Sequence, residues 1–254
     1  MTTTLSPPPA SNDVSHSVDK SRPKVQAMFG EIAGRYDLLN RVMSGGVDVL
    51  WRKRTVREAP PATEGPLAGR PILDVCCGTG DLAFEYQPHA EKTGADVIGA
   101  DFTQEMLALT EHKQPASGRV PYALADTMAL PFASDTFQVV SVAFGLRNVV
   151  DTRAGLVEMA RVTCPGGTVA ILECSRPTGW LMRRLYPLHF KLAVPVVGRL
   201  LNKSASDAYQ YLPDSVAEFP SGQELADLMT DVGYRDVRFH PLTFGVVTLY
   251  LGTV

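Results

Sequence analysis

The chain has 254 residues, 45% apolar and 20% charged, with a formal net charge of −3. That size suits one large α/β domain that buries its core without disulfides or metal, and the near-neutral balance supplies no field to attract nucleic acid. Four cysteines, two of them adjacent (Cys76 and Cys77), match no zinc spacing and are read as small buried hydrophobes in a reducing compartment.

Residues 1–22, rich in Ser, Thr, Pro and Asp, read as a disordered tail. They contain no apolar signal-peptide core, and no run in the chain reaches the ~18 apolar residues of a transmembrane helix. A single domain is expected over 23–254. Val25, Met28, Phe29, Ile32 and Tyr36 share one helical face, and a second helix is expected from Val47 to Arg57. After a Pro/Gly-rich loop, short apolar runs alternate with helical patterns. The expected strands are Ile72 to Val75, Val97 to Ala100, Val120 to Leu124, Phe137 to Val142 and Thr168 to Leu172, closed by Val237 to His240 and Val246 to Leu251. Thr103 is placed to cap the helix after the second strand. Alternation of this kind predicts a mostly parallel sheet covered on both faces, with an antiparallel closing pair. Between the fifth strand and the last helix (Gln223 to Val232), residues 179–215 read as a helical insertion. Its part up to Lys203 is apolar and carries only basic charges: Arg183, Arg184, Lys191, Arg199 and Lys203.

Ligands of open α/β sheets sit beyond the carboxyl ends of the strands. The polar residues that end the apolar runs are therefore the candidates: Asp74 with Gly78-Thr79-Gly80, then Asp101, then Asp126-Thr127, then Arg147-Asn148. The glycine turn lets the backbone approach a ligand, or is simply a tight strand-to-helix turn. Asp101 can accept both ribose hydroxyls, and Asp126 can meet an adenine amino group or serve as a cap. A dinucleotide is disfavoured because Asp81 opens the helix where a pyrophosphate would bind. Asp74 and Asp81 suit S-adenosylmethionine, which carries no phosphate and has a positive sulfonium and amino group. No Ser-His-Asp or Cys-His arrangement is apparent.

The chain resembles the ubiquinone/menaquinone biosynthesis C-methyltransferases from about Val25 to Gly252. The likeness rests on Met28-Phe29, Tyr36-Asp37, Trp51-Arg52, Leu73 to Leu82 around the glycine turn, Gly99 to Phe102, Leu130-Pro131-Phe132, Leu172 to Pro177 and Tyr209 to Ser215. Its most specific block is Phe144-Gly145-Leu146-Arg147-Asn148 with Asp151; Ala143 and Cys164 depart from the usual pattern. The resemblance implies a class I S-adenosylmethionine-dependent methyltransferase fold with a seven-stranded, Rossmann-like sheet. It implies cofactor contacts at Thr79, Asp101 and Asp126-Thr127, with Asp74, Gly78, Gly80 and Phe102 completing the expected set and no metal. The acceptor implied is a prenylated quinol, methylated on a ring carbon. Demethylmenaquinol is expected first, with the benzoquinol of the ubiquinone pathway open beside it. Arg147 is the expected phenolate stabiliser, with Asn148 and Tyr36 orienting the ring. Its competing reading is a salt bridge to Asp151, one helical turn on. The basic insertion implies transient contact of a cytoplasmic protein with the inner face of a membrane. A homodimer, an NAD-dependent oxidoreductase, a methyltransferase of soluble acceptors and a non-catalytic S-adenosylmethionine-binding subunit stay open.

Overall fold

A computed structural model describes residues 18–114, 118–177 and 206–254, without the side chains of 206–210 and 212. Seven strands form one sheet in the order β3-β2-β1-β4-β5-β7-β6. They are β1 (Ile72–Val75), β2 (Val97–Asp101), β3 (Tyr122–Leu124), β4 (Phe137–Ala143), β5 (Thr163–Cys174), β6 (Arg235–Leu242) and β7 (Val247–Thr253). All pairings are parallel except those of β7, which runs antiparallel to both β5 and β6. This is the expected class I methyltransferase sheet, with the expected antiparallel closing pair.

Period-two alternation explains why the sheet is buried on both faces. On one face Ile72 packs with Val97, Val139, Ala170 and Leu172, under α3 (Asp48–Glu58) and α4 (Asp81–Glu91). On the other, Leu73 and Val75 join Val140, Val142, Val169 and Ile171. That face is covered by α6 (Thr152–Val162) and, after α7 (Ser206–Glu218), by α8 (Gln223–Asp231). The order of the sheet reverses between β1 and β4, which opens a crevice beyond their carboxyl ends.

The N-terminal segment is not the single helix expected. The chain forms α1 (Arg22–Ile32), a 3₁₀ turn (Ala33–Arg35) and then α2 (Tyr36–Ser44). The break turns Phe29, Ile32 and Leu39 onto Met106 of α5 (Gln104–Thr110) and Tyr211 of α7, and sets Tyr36 and Asp37 over the glycine turn. Val18, placed in the tail by the sequence, is buried, and its N–H donates to Glu218 Oε1 at 3.1 Å. Thr103 stands at the N-cap of α5 but makes no side-chain cap bond; its N–H instead donates to Asp101 Oδ1 at 2.8 Å. The expected insertion lies outside the described residues except for its end, which enters α7.

Two substitutions test these layers by urea unfolding. Ile171→Ala, at a position of zero exposure, is expected to cost about 2–5 kcal/mol because the tight sheet cannot collapse onto the void. Asp151→Ala removes the carboxylate that accepts the Ala154 N–H at 3.0 Å, and about 1 kcal/mol should be lost.

Candidate active site

Each strand that ends at the crevice delivers a polar or strained residue to it. Beyond β1 the chain turns sharply, with Cys76 at φ 50° and Gly78 at φ 55°. Beyond β4, Phe144 sits at φ 59°. Cys76 and Phe144 are non-glycine residues in the left-handed region, a costly conformation that concentrates at functional sites. Both are pinned: Cys77 N–H donates to Ala100 C=O at 3.0 Å, Phe144 N–H donates to Leu172 C=O at 2.8 Å, and the Phe144 ring packs 6.0 Å from that of Trp51. Gly145 follows with an ordinary φ but no room, since a Cβ there would lie 2.2 Å from Cys76 Cβ.

Two cavities meet at this point. The larger encloses about 630 Å³ and the smaller about 370 Å³, open solvent included. Tyr36, Cys76, Gly78 and Phe144 line both. The larger holds Asp101, Phe102, Asp126, Thr127 and Asn148. The smaller holds Asp37, Asp74, Thr79 and Asp81. The structure thus brings together Tyr36, Asp74, Gly78, Thr79, Asp101, Phe102, Asp126, Thr127 and Asn148. Gly80 and Arg147 line neither cavity. Gly80 caps α4 at φ 90°, where a side chain would strike the Tyr122 hydroxyl at 2.5 Å and the Phe84 ring at 2.9 Å. Its part is to shape the loop.

The carboxylates differ in their surroundings. Asp101 accepts the Gly78 N–H and the Thr103 N–H, both at 2.8 Å, one on each oxygen. Burial raises its pKa, and these backbone donors hold the rise back. Its remaining lone pairs suit a vicinal diol. Asp74 is buried beneath the loop and accepts hydrogen bonds from Ser141 Oγ, at 3.0 Å, and from the Ala83 N–H. Burial pushes its pKa up to about 7, against the pull of Ser141. Asp126 accepts the Met128 N–H and pairs with Arg22 of α1.

Asp81 does not stand free for a cationic ligand, as the sequence suggested. Lys113 lies 2.6 Å from it, Arg52 2.9 Å and Arg41 3.7 Å. Burial opposes its charge, but Arg52 and Lys113 outweigh it and its pKa falls below the usual carboxylate value. Lys113 also donates to Asp37 at 2.7 Å and to Thr79 Oγ1 at 2.9 Å. Thr79 in turn donates to Asp37 at 2.5 Å.

Arg147 does not pair with Asp151, which caps α6 instead. Its guanidinium is buried on Glu173, the last-but-one residue of β5, with Nη1 2.7 Å from Oε1. Burial opposes the charge, and the Glu173 carboxylate more than restores it. Arg147 Nε has no partner among the described residues. Asn148 Oδ1 accepts the Tyr211 hydroxyl at 3.0 Å. Sequence reasoning left Glu173, Tyr211, Asp37 and Lys113 without roles. Glu173 obeys the same strand-end rule as Asp74 and Asp101 and could have been found. Lys113 carried no signal, because a long side chain reaches the loop from the 3₁₀ turn that follows α5. The cysteines also differ from expectation: Cys164 is buried, but Cys76 and Cys77 line the crevice as free thiols, Cys76 Sγ lying 3.1 Å from Thr127 Oγ1.

The acceptor set fits a positively charged nucleoside. The Asp101 carboxylate and apolar walls (Phe102, Met106, Met128, Val149) occupy one half, and the acceptors of Asp37, Thr79 and Asp81 the other. No group of three or more His, Cys, Asp or Glu suited to a metal occurs among the described residues.

Comparison with known proteins agrees. The chain is 45% identical over 232 residues to a ubiquinone/menaquinone biosynthesis C-methyltransferase UbiE of Geobacter sulfurreducens, covering 90% of this chain and 88% of that one. It is 41% identical to a demethylmenaquinone methyltransferase of Porphyromonas gingivalis, covering 90% and 92%. Among solved structures, an S-adenosylmethionine-dependent methyltransferase of Thermotoga maritima shares the fold, with a TM-score of 0.60 at 18% identity over 90% of this chain and 99% of that one. The model of the ubiE/COQ5 methyltransferase family matches residues 16–254. The chain therefore belongs to the ubiE/COQ5 methyltransferase family and uses S-adenosylmethionine as its methyl donor.

Proposed function

We propose that this protein methylates a ring carbon of a prenylated quinol, with demethylmenaquinol as the acceptor and menaquinol as the product. The observation that carries the reading is the meeting of the two cavities at Tyr36, Cys76, Gly78 and Phe144, next to a buried arginine whose Nε has no partner among the described residues. The named relatives in menaquinone synthesis favour the naphthoquinol over the benzoquinol.

The donor supplies an electrophilic methyl group when bound. The residues expected to hold it are Asp101 and Phe102 at the ribose, Asp126 and Thr127 at the adenine, and Asp74, Gly78 and Thr79 toward the amino-acid end. A quinol carbon becomes nucleophilic as the neighbouring hydroxyl loses its proton. Stabilising that phenolate is the task of a fixed positive charge in a water-poor site. Arg147 meets the requirement. It is fully charged, is held by Glu173 and the Phe144 carbonyl, and keeps Nε free of partners among the described residues. Asn148 and Tyr36 line the cavity wall and orient the ring. Burial raises the Tyr36 pKa, which keeps its hydroxyl a donor.

A prenyl tail does not leave a bilayer cheaply. No helix among the described residues is long and apolar enough to cross a membrane. We therefore assign transient contact with the inner membrane face to residues 179–203, on their composition, with the protein working from the cytoplasm.

With purified protein, S-adenosylmethionine and demethylmenaquinol, mass spectrometry should find menaquinol, and Arg147→Ala should lower kcat roughly 10²-fold while donor affinity holds. Unchanged turnover would remove Arg147 from the mechanism. Ionised Asp74 favours a cationic ligand, so donor affinity should rise as pH climbs through about 7, and Asp74→Asn should flatten that profile. The same raised pKa works against the free fold: the stability due to protonated Asp74 is complete below the ordinary value of 3.8 and lost as pH rises through about 7. Finally, neutralising Arg183, Arg184, Lys191, Arg199 and Lys203 should reduce co-sedimentation with anionic vesicles; unchanged pelleting would contradict the membrane role.

A further inference from the structure

Three residues that line the smaller cavity already hold an ammonium group. Lys113 closes the 3₁₀ turn (Glu111–Lys113) after α5 and reaches back across the mouth of the glycine loop. An ammonium has three N–H donors. Lys113 directs them to Asp81 Oδ1 at 2.6 Å, Asp37 Oδ2 at 2.7 Å and Thr79 Oγ1 at 2.9 Å. The three acceptors come from three separate elements: α2, the loop after β1, and the first turn of α4. All three also line the cavity that faces the expected amino-acid end of the methyl donor.

We infer that Lys113 is an internal competitor for the donor's positive charge: its ammonium holds the Asp37–Thr79–Asp81 socket in the free protein and yields it to the α-ammonium of S-adenosylmethionine. This rests on the cofactor reading given above. Charge counting supports the exchange. The ion-paired cluster is balanced with Lys113 in place, since Asp37, Asp48 and Asp81 face Arg41, Arg52 and Lys113. Withdrawal of Lys113 leaves one excess negative charge, which matches the net single positive charge of a molecule with a sulfonium, an ammonium and a carboxylate. Arg52 and Arg41 stay behind on Asp81 and keep a cationic edge for that carboxylate. The Lys113 side chain is 28% exposed, and its nitrogen already lies 5.9 Å from the centre of the Phe84 ring. A change of rotamer suffices to carry it into water. The consequence is a donor affinity set below what the socket could deliver, with Asp37 and Asp81 paired in both the free and the bound protein.

The test uses isothermal calorimetry on the whole chain with two nucleosides. S-Adenosylhomocysteine carries the amino-acid end; 5′-methylthioadenosine lacks it. Lys113→Met removes the competitor at nearly constant volume and should tighten S-adenosylhomocysteine about three- to tenfold, the worth of one or two part-exposed ion pairs. Methylthioadenosine affinity should not change. Lys113→Arg keeps a cation at the site and should bind S-adenosylhomocysteine like the wild type, which separates loss of charge from disturbed folding. Weaker or unchanged S-adenosylhomocysteine binding by folded Lys113→Met, or an equal gain for both nucleosides, would overturn the inference. A wild-type protein that bound neither nucleoside would overturn the cofactor reading instead.

Discussion

The crevice depends on one constraint, the parallel pairing of β1 with β2 on one side and β4 on the other. Parallel strands held in register end at the same level. The residues at or just beyond their ends, Cys76 to Gly78, Asp101 to Thr103 and Phe144 to Asn148, are therefore gathered into one rim. The apolar alternation of Ile72, Leu73 and Val75 against helices on both faces makes that register hard to slip. A slip of one residue would bury the wrong side chains and scatter the carboxylates. The energy that positions the polar rim thus comes from the dry sheet beneath it, and the strained φ values of Cys76 and Phe144 are tolerated because that sheet fixes both ends of each turn.

A second pattern emerges from the electrostatics. The carboxylates expected to meet a cationic nucleoside are in several cases covered by cations of the chain itself. Arg22 pairs with Asp126, and Lys113 with Asp37 and Asp81. These cations come from α1 and the 3₁₀ turn after α5, elements that border the crevice rather than form its floor. The floor carboxylates, Asp74 and Asp101, are held by neutral donors: a serine hydroxyl and backbone N–H groups. The division makes physical sense. Buried charges on the floor have fixed hydrogen bonds that need no rearrangement, while those at the edge have partners on long, part-exposed side chains that can leave. Arg147 and Glu173 form a buried pair in which Arg147 Nε has no partner among the described residues.

Much of this was legible in the sequence. Short apolar runs ending in Asp or Gly announced the parallel strands and the crevice, because burial on both faces and a ligand at strand ends each leave a composition signal. The antiparallel pair of β6 and β7 followed from the short link between them. The rest depended on contacts that composition does not encode. The helical face from Val25 to Tyr36 was continuous in sequence, yet the chain breaks at Ala33 to Arg35 so that Tyr36 and Asp37 can cover the loop. Asp81 looked like a free acid because its three cations lie at positions 41, 52 and 113. The local rule for Arg147 proposed Asp151, whereas capping of α6 claimed that aspartate and a partner 26 positions away claimed the arginine. Cys76 and Cys77 read as filler, and only the turn geometry places them at the crevice.

The most direct measurement is a crystal structure of the protein soaked with S-adenosylhomocysteine. The account predicts ribose hydroxyls on the Asp101 carboxylate, adenine between Phe102 and Val149 with its amino group toward Asp126, and the sulfur at the junction of Tyr36, Gly78 and Phe144. A nucleoside bound elsewhere on the molecule, with the Asp101 carboxylate left uncontacted, would contradict it.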